Sequence, residues 1–162
     1  MRLMHRLILL GAAAGTLLAG TPSQPRTACE LLSAAEVAAF LKGPTVHIDS
    51  LNSGMNEMTR VDFCNWYVKE NQPEGVMLKL RRAPSADEVA AAFIAAKVDE
   101  EMSLPAKTAA IPGVGDEALY KPYADGKGGT VVVRKGASVV SIIGSPSRET
   151  LVAMAKAIAP RL

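Results

Sequence analysis

The sequence predicts an α+β domain: an antiparallel sheet of about five to six strands with three helices packed on one face. Three observations predict it. Runs rich in branched and aromatic residues at 61–69, 76–82, 117–121, 130–134 and 138–143 are separated by short segments of Gly, Asn, Asp and Pro. Strands joined by short turns must pair antiparallel. Helical signatures stand before, between and after these strands, so the chain order is helix, strands, helix, strands, helix.

The first helix opens at Ser33-Ala-Ala-Glu36, a capping box in which serine oxygen and glutamate satisfy the free amides of the first turn. Val37, Phe40 and Leu41 follow at helical spacing, and Lys42-Gly43-Pro44 ends it. An extended piece at Thr45–Ile48 leads into a loop of Asn, Ser, Gly and Met through Thr59. Val61–Lys69 then forms a hairpin with Val76–Arg82. A second capping box, Ser85-Ala-Asp-Glu88, opens a helix to about Met102, with Val89, Phe93 and Ala96 as its buried stripe. Pro105–Gly115 connects to three strands, turned at Ala124–Gly129 and at Lys135-Gly136. A last helix, capped by Ser145-Pro146 or by Ser147, runs to Pro160.

With 162 residues, one domain is expected. Residues 1–20 have the layout of a signal peptide: Arg2, His5 and Arg6, then an apolar stretch from Leu7 to Ala19 that ends in small residues. The apolar stretch is too short to span a bilayer, which takes about 20 apolar residues. Residues 21–28 read as a polar, proline-bearing linker, leaving residues 29–162 as the domain. Leu17-Leu-Ala-Gly20 would begin a lipoprotein box, but Thr21 stands where the lipidated cysteine belongs, and a hydroxyl cannot form the thioether. The expected location is periplasmic or secreted, without a lipid anchor and without a transmembrane segment in the mature chain.

Removal of Arg2 and Arg6 leaves Lys+Arg and Asp+Glu balanced, from 18 and 16 in the full chain. A neutral domain lacks the basic footprint of a nucleic-acid binder. Cys29 and Cys64 are the only cysteines, and an even number in an exported chain reads as a disulfide. A redox or zinc pair is disfavoured, since there is no Cys-x-x-Cys spacing and His47 is the only histidine past the signal. The same single histidine argues against a Ser-His-Asp triad, and no Gly-x-Ser-x-Gly elbow exists. No cofactor, metal site or catalytic residue is expected. Gly113-Val-Gly115 fails as a phosphate loop, because a strand rather than a helix follows it.

Several motifs recur together: Cys29-Glu-Leu-Leu-Ser33-x-x-Glu36-Val37, Cys64-Asn-Trp66, Pro112-Gly-Val-Gly-Asp-Glu-Ala118 and Val133-Arg-Lys-Gly136 before an Ala/Leu-rich helix. In this order they resemble a family of small exported bacterial proteins, often lipoproteins, defined by a domain of unknown function. The resemblance spans most of residues 29–162. It implies an envelope or secreted location and a bridge between the two cysteines, with no assigned catalytic residue.

Two places hold candidate functional residues. Alternation along the first hairpin puts Cys64 and Trp66 on the covered side and Tyr67 and Lys69 on the other, with Lys79 and Arg81 beside them. If Arg134 falls on the same outer face, Tyr67, Lys69, Lys79, Arg81 and Arg134 form a segregated cationic surface suited to an anionic partner, an envelope protein or polymer. That reading is a non-catalytic binding module. The alternatives are a small hydrolase-type enzyme using Asp116 and Glu117 after the glycine turn, or a small-ligand carrier with a pocket between helix and sheet.

Overall fold

The computed structural model describes residues 27–43, 46–49, 53–56, 61–68, 75–103 and 108–162. The signal segment 1–20, most of the 21–28 linker and Lys69 lie outside the described residues. Eight strands form a single sheet: β1 (His47–Ile48), β2 (Gly54–Asn56), β3 (Val61–Tyr67), β4 (Gly75–Arg82), β5 (Ala109–Ala110), β6 (Glu117–Pro122), β7 (Gly129–Lys135) and β8 (Ser138–Gly144). The helices are α1 (Ala34–Phe40), α2 (Ala86–Ser103) and α3 (Arg148–Ile158), with short 3-10 turns at Ala28–Glu30 and Ala159–Arg161.

The sheet order is β1-β3-β4-β8-β7-β6-β5, and β2 also pairs with β3. Every pairing is antiparallel. The α+β class and the antiparallel sheet follow the sequence reading. The strand count does not: the described residues form eight strands rather than five to six. The additional strands β2 and β5 are three and two residues long. They add rungs at the two edges, β2 on β3 and β5 on β6.

The placement of the helices also differs. Cys64, Trp66, Val76, Leu78, Leu80, Val131, Val133, Val140 and Ile142 point to one face. There they meet Val37 of α1 and Leu151, Met154, Ala155 and Ile158 of α3. Helix α2 lies on the opposite face, where Val89 and Phe93 bury Val132 and Val139, with Leu119 beside them. The three helices therefore do not share a face. The physical reason is visible in the strands themselves. Val131-Val132-Val133 and Val139-Val140 are consecutive apolar residues, all buried, and successive residues of a strand point to opposite sides. Strands of that kind need cover on both sides.

The helix starts are built by the predicted serines. The Ser33 side chain accepts from the Glu36 N–H, and the Glu36 carboxylate accepts from the Ser33 N–H at 2.8 Å. The Ser85 hydroxyl accepts from Glu88 N–H at 3.2 Å. Of the two options at α3, Ser147 is the cap, accepting from Thr150 N–H. At the end of α1, the left-handed residue is Lys42 (φ 59°), with the Gly43 N–H reaching back to the Ala38 carbonyl. A non-glycine residue thus occupies the position that glycine usually fills.

The Cys29–Cys64 disulfide is present, with a Cα–Cα distance of 5.0 Å, and it fastens the first 3-10 turn to β3. Buried Asp62 sits two residues before Cys64 on the same side and accepts from the Ala28 N–H at 2.6 Å. Trp66, also on this side, is fully packed, as expected for a tryptophan near the bridge. At the other end of the sheet the chains approach closely. A side chain at Gly128 would lie 2.1 Å from the Gly144 carbonyl oxygen, and Gly128 also has φ +89°, so only glycine fits. The adjoining Gly129 leaves room for the ring of Tyr120, whose hydroxyl donates to the Gly128 carbonyl.

Candidate functional site

The outer face of β3 and β4 is set by register. Phe63 lies opposite Lys79, and Val61 opposite Arg81. Arg81 then faces Val139 of β8, which faces Arg134 of β7. Tyr67 sits at the far end of β3, paired with Gly75 and 5.7 Å from the ring of His47 on β1. The structure therefore puts Tyr67, Lys79, Arg81 and Arg134 on one face, and Lys69 falls outside the described residues.

These side chains are not in equivalent states. Arg134 is engaged, 3.7 Å from both Asp116 and Glu117. Lys79 lies over the Phe63 ring at 6.0 Å, a cation–π contact that leaves its charge unneutralised. Arg81 is exposed and forms no ion pair with any of the described residues. The cationic character of the face is thus concentrated at Lys79 and Arg81, on β4.

Helix α2 divides the face. It covers β7 and β8 through Val89 and Phe93 and leaves the β3–β4 half beside it. On that half Val61, Phe63, Asn65, Tyr67, Met77 and Lys79 are only half-buried. Between α2 and the end of β4 runs a concavity of about 330 Å³, bordered by Arg81, Arg82, Glu88, Ala91, Ala92 and Ala95. The sequence held a signal for this wall, since Ala91, Ala92 and Ala95 fall on one side of α2 by helical spacing. Alternation along the strands alone could not show that a helix would border the face.

The second predicted cluster, Asp116 and Glu117, follows the glycine turn. Gly113 and Gly115 both take positive φ and carry the chain through a tight loop after β5. The Asp116 N–H donates to the Arg134 carbonyl at 2.8 Å. Its two carboxylate oxygens accept from the Gly136 N–H at 2.7 Å and from Lys135 Nζ at 2.9 Å. The Gly136 amide, and then the Lys135 ammonium, hold the Asp116 carboxyl below its usual range. Its geometry is that of an anchor joining the 112–116 loop to the β7–β8 turn.

A wider cavity of about 530 Å³ opens at the glycine-rich end of the sheet, among Leu41, Val68, Gly75, Lys127, Ser145 and Ser147. Among the described residues, no three His, Cys, Asp or Glu side chains are grouped to hold a metal, and no helix is long and apolar enough to cross a membrane. Compared with known protein families and with curated proteins, the chain matches no family model and no curated sequence.

Proposed function

We propose that this chain is an exported, non-catalytic binding module of the cell envelope that engages an anionic partner through the outer face of β3 and β4. The observation that carries the reading is the pair Lys79 and Arg81. Both are on one strand face, neither has an acidic partner among the described residues, and half-buried apolar side chains lie beside them, Phe63 and Met77 at Lys79 and Val61 at Arg81. Cations beside apolar surface suit a partner that presents acids and buries some area, because charge complementarity steers encounter and apolar burial supplies affinity. The signal layout of residues 1–20, the family resemblance and the disulfide, which is compatible with an oxidising compartment, support the exported location. The test is retention of the mature domain on immobilised poly-L-glutamate across a salt series. Native protein is expected to bind with salt-dependent affinity, and Lys79→Glu/Arg81→Glu to lose at least tenfold while unfolding at the same urea midpoint. Equal retention of the two proteins would refute the reading.

The cavity at the glycine-rich end favours a second reading, a carrier of a small ligand. Its volume falls in the usual range for small-molecule sites. A carrier purified from its native envelope retains a bound mass in native mass spectrometry. A spectrum of bare polypeptide counts against this reading.

A further inference from the structure

We infer that the partner docks as an acidic amphipathic helix, laid beside α2 over the outer face of β3 and β4. This rests on the binding reading above and names its partner.

The first observation is one of coverage. Five long strands, β3-β4-β8-β7-β6, make a sheet about 20–25 Å wide at about 4.8 Å per strand. A helix with its side chains is about 10 Å across, so one helix covers about half of that width. The inner face carries α1, α3 and both 3-10 turns. Among the described residues the outer face carries one helix, α2, seated on β7 and β8. What remains beside it, over β3 and β4, has the width of one more helix.

The second observation is the lining. The floor of this strip is Phe63, Met77 and Val61, half-buried and apolar. At the Arg81–Arg82 end of β4 the strip meets the alanine side of α2, where Ala91, Ala92 and Ala95 border the same concavity. Small residues on one helix let a second helix approach closely, at the short end of the 8–10 Å packing range. An extended strand would gain little from such a wall, and it could not add to the sheet here, because β3 and β4 already hydrogen-bond each other along the strip.

The third observation is charge. Lys79 and Arg81 project from the same strip without acidic partners among the described residues. A helix with its apolar stripe on Phe63 and Met77 would set acids on the flank of that stripe against these two cations. Such a helix is read by anchors at i, i+3, i+4 and i+7.

The experiment is a selection from a displayed library of random 16-residue peptides, using the disulfide-intact domain as target. Parallel selections use Lys79→Glu/Arg81→Glu and Ala95→Trp, the latter to fill the space beside α2 without changing charge. Each variant is first shown to unfold at the native urea midpoint. The inference expects enriched peptides with apolar residues at helical spacing and acids on the flank. Both variants should lose that enrichment, and synthesised peptides should gain helix signal in circular dichroism on binding.

Acidic peptides without helical spacing, lost on charge reversal but indifferent to Ala95→Trp, would overturn the helix and leave the anionic-partner reading standing. Enrichment indifferent to Lys79 and Arg81 would overturn both. A concentration-dependent dimer abolished by the charge reversal would place a second copy in the strip and overturn the inference.

Discussion

Glu36 serves two structures at once. Within α1 it completes the capping box with Ser33, and across the molecule it receives both terminal nitrogens of the Arg161 guanidinium, which also donates to the Leu31 carbonyl. The guanidinium hydrogen bond is the main cause, followed by the Ser33 amide, of a Glu36 carboxyl pushed down from an ordinary 4.5 to about 2. A carboxyl lowered on folding contributes stability that is fully present above the unfolded value and lost as pH falls through the folded one. The window is therefore from about 4.5 down to about 2. Both side chains are more than a third exposed, so solvent screening keeps the contribution near 1 kcal/mol. Arg161→Ala should cost about that much at pH 7. In urea unfolding at pH 7, 4 and 2.5, the gap between native protein and variant should narrow as pH drops. A gap that stays constant would show that the ionic contact adds nothing. The sequence displayed the Ser33–Glu36 half of this arrangement because it is local. Arg161 was not legible, since nothing in a chain marks which residue 125 positions away will fold against it.

At the scale of elements, the long strands were legible because their turns are chemically marked, and Asp125-Gly126 and Lys135-Gly136 sit at the hairpin corners of β6–β7 and β7–β8. Strands β2 and β5 were not, because two or three residues carry no alternation and are defined only by the neighbour they hydrogen-bond. The side taken by α2 was written in the consecutive valines of β7 and β8 rather than in the helix. Helix α2 carries exposed Ile94 as well as buried Val89 and Phe93, so its own pattern does not single out one face. The shared face of Tyr67, Lys79, Arg81 and Arg134 was legible because period-two alternation fixes which residues of a strand share a side. Loss of Arg134 to an acid pair was not, as it depends on the 112–116 loop folding back. The end of α1 offers a direct measurement at this scale. Lys42 holds φ 59°, a conformation that disfavours any residue with a Cβ, and its side chain is exposed. Lys42→Gly is expected to raise stability by about 0.5–1 kcal/mol, seen as a higher urea midpoint with unchanged slope. A lower midpoint would mean that the lysine stem packs on α1 strongly enough to offset its backbone.

For the whole molecule, the controlling feature is where the two ends of the domain meet. The 3-10 turn at Ala28–Glu30 is held to β3 by Cys64 and by Asp62, and the turn after it is held by Arg161 from the opposite end of the chain. These ties close the inner layer, in which Leu31 and Leu32 are fully buried against the sheet and α3. The outer layer, α2 on β7 and β8, shares none of them. The disulfide should therefore act on one layer and not the other. Closing a separation of 35 residues restricts the unfolded chain by roughly 3–4 kcal/mol. Cys29→Ser/Cys64→Ser should lose about that amount in urea unfolding. In native-state hydrogen exchange its earliest openings should come from residues 28–41, with β7, β8 and the packed part of α2 protected to the global limit. If that holds, the strip over β3 and β4 keeps its shape from the α2 side when the bridge is reduced, and binding to poly-L-glutamate survives reductant at temperatures below the lowered midpoint. Simultaneous loss of binding and of the 28–41 protection would instead mean that β3 itself is positioned by the bridge, since Cys64 and Phe63 are adjacent on that strand and face opposite layers.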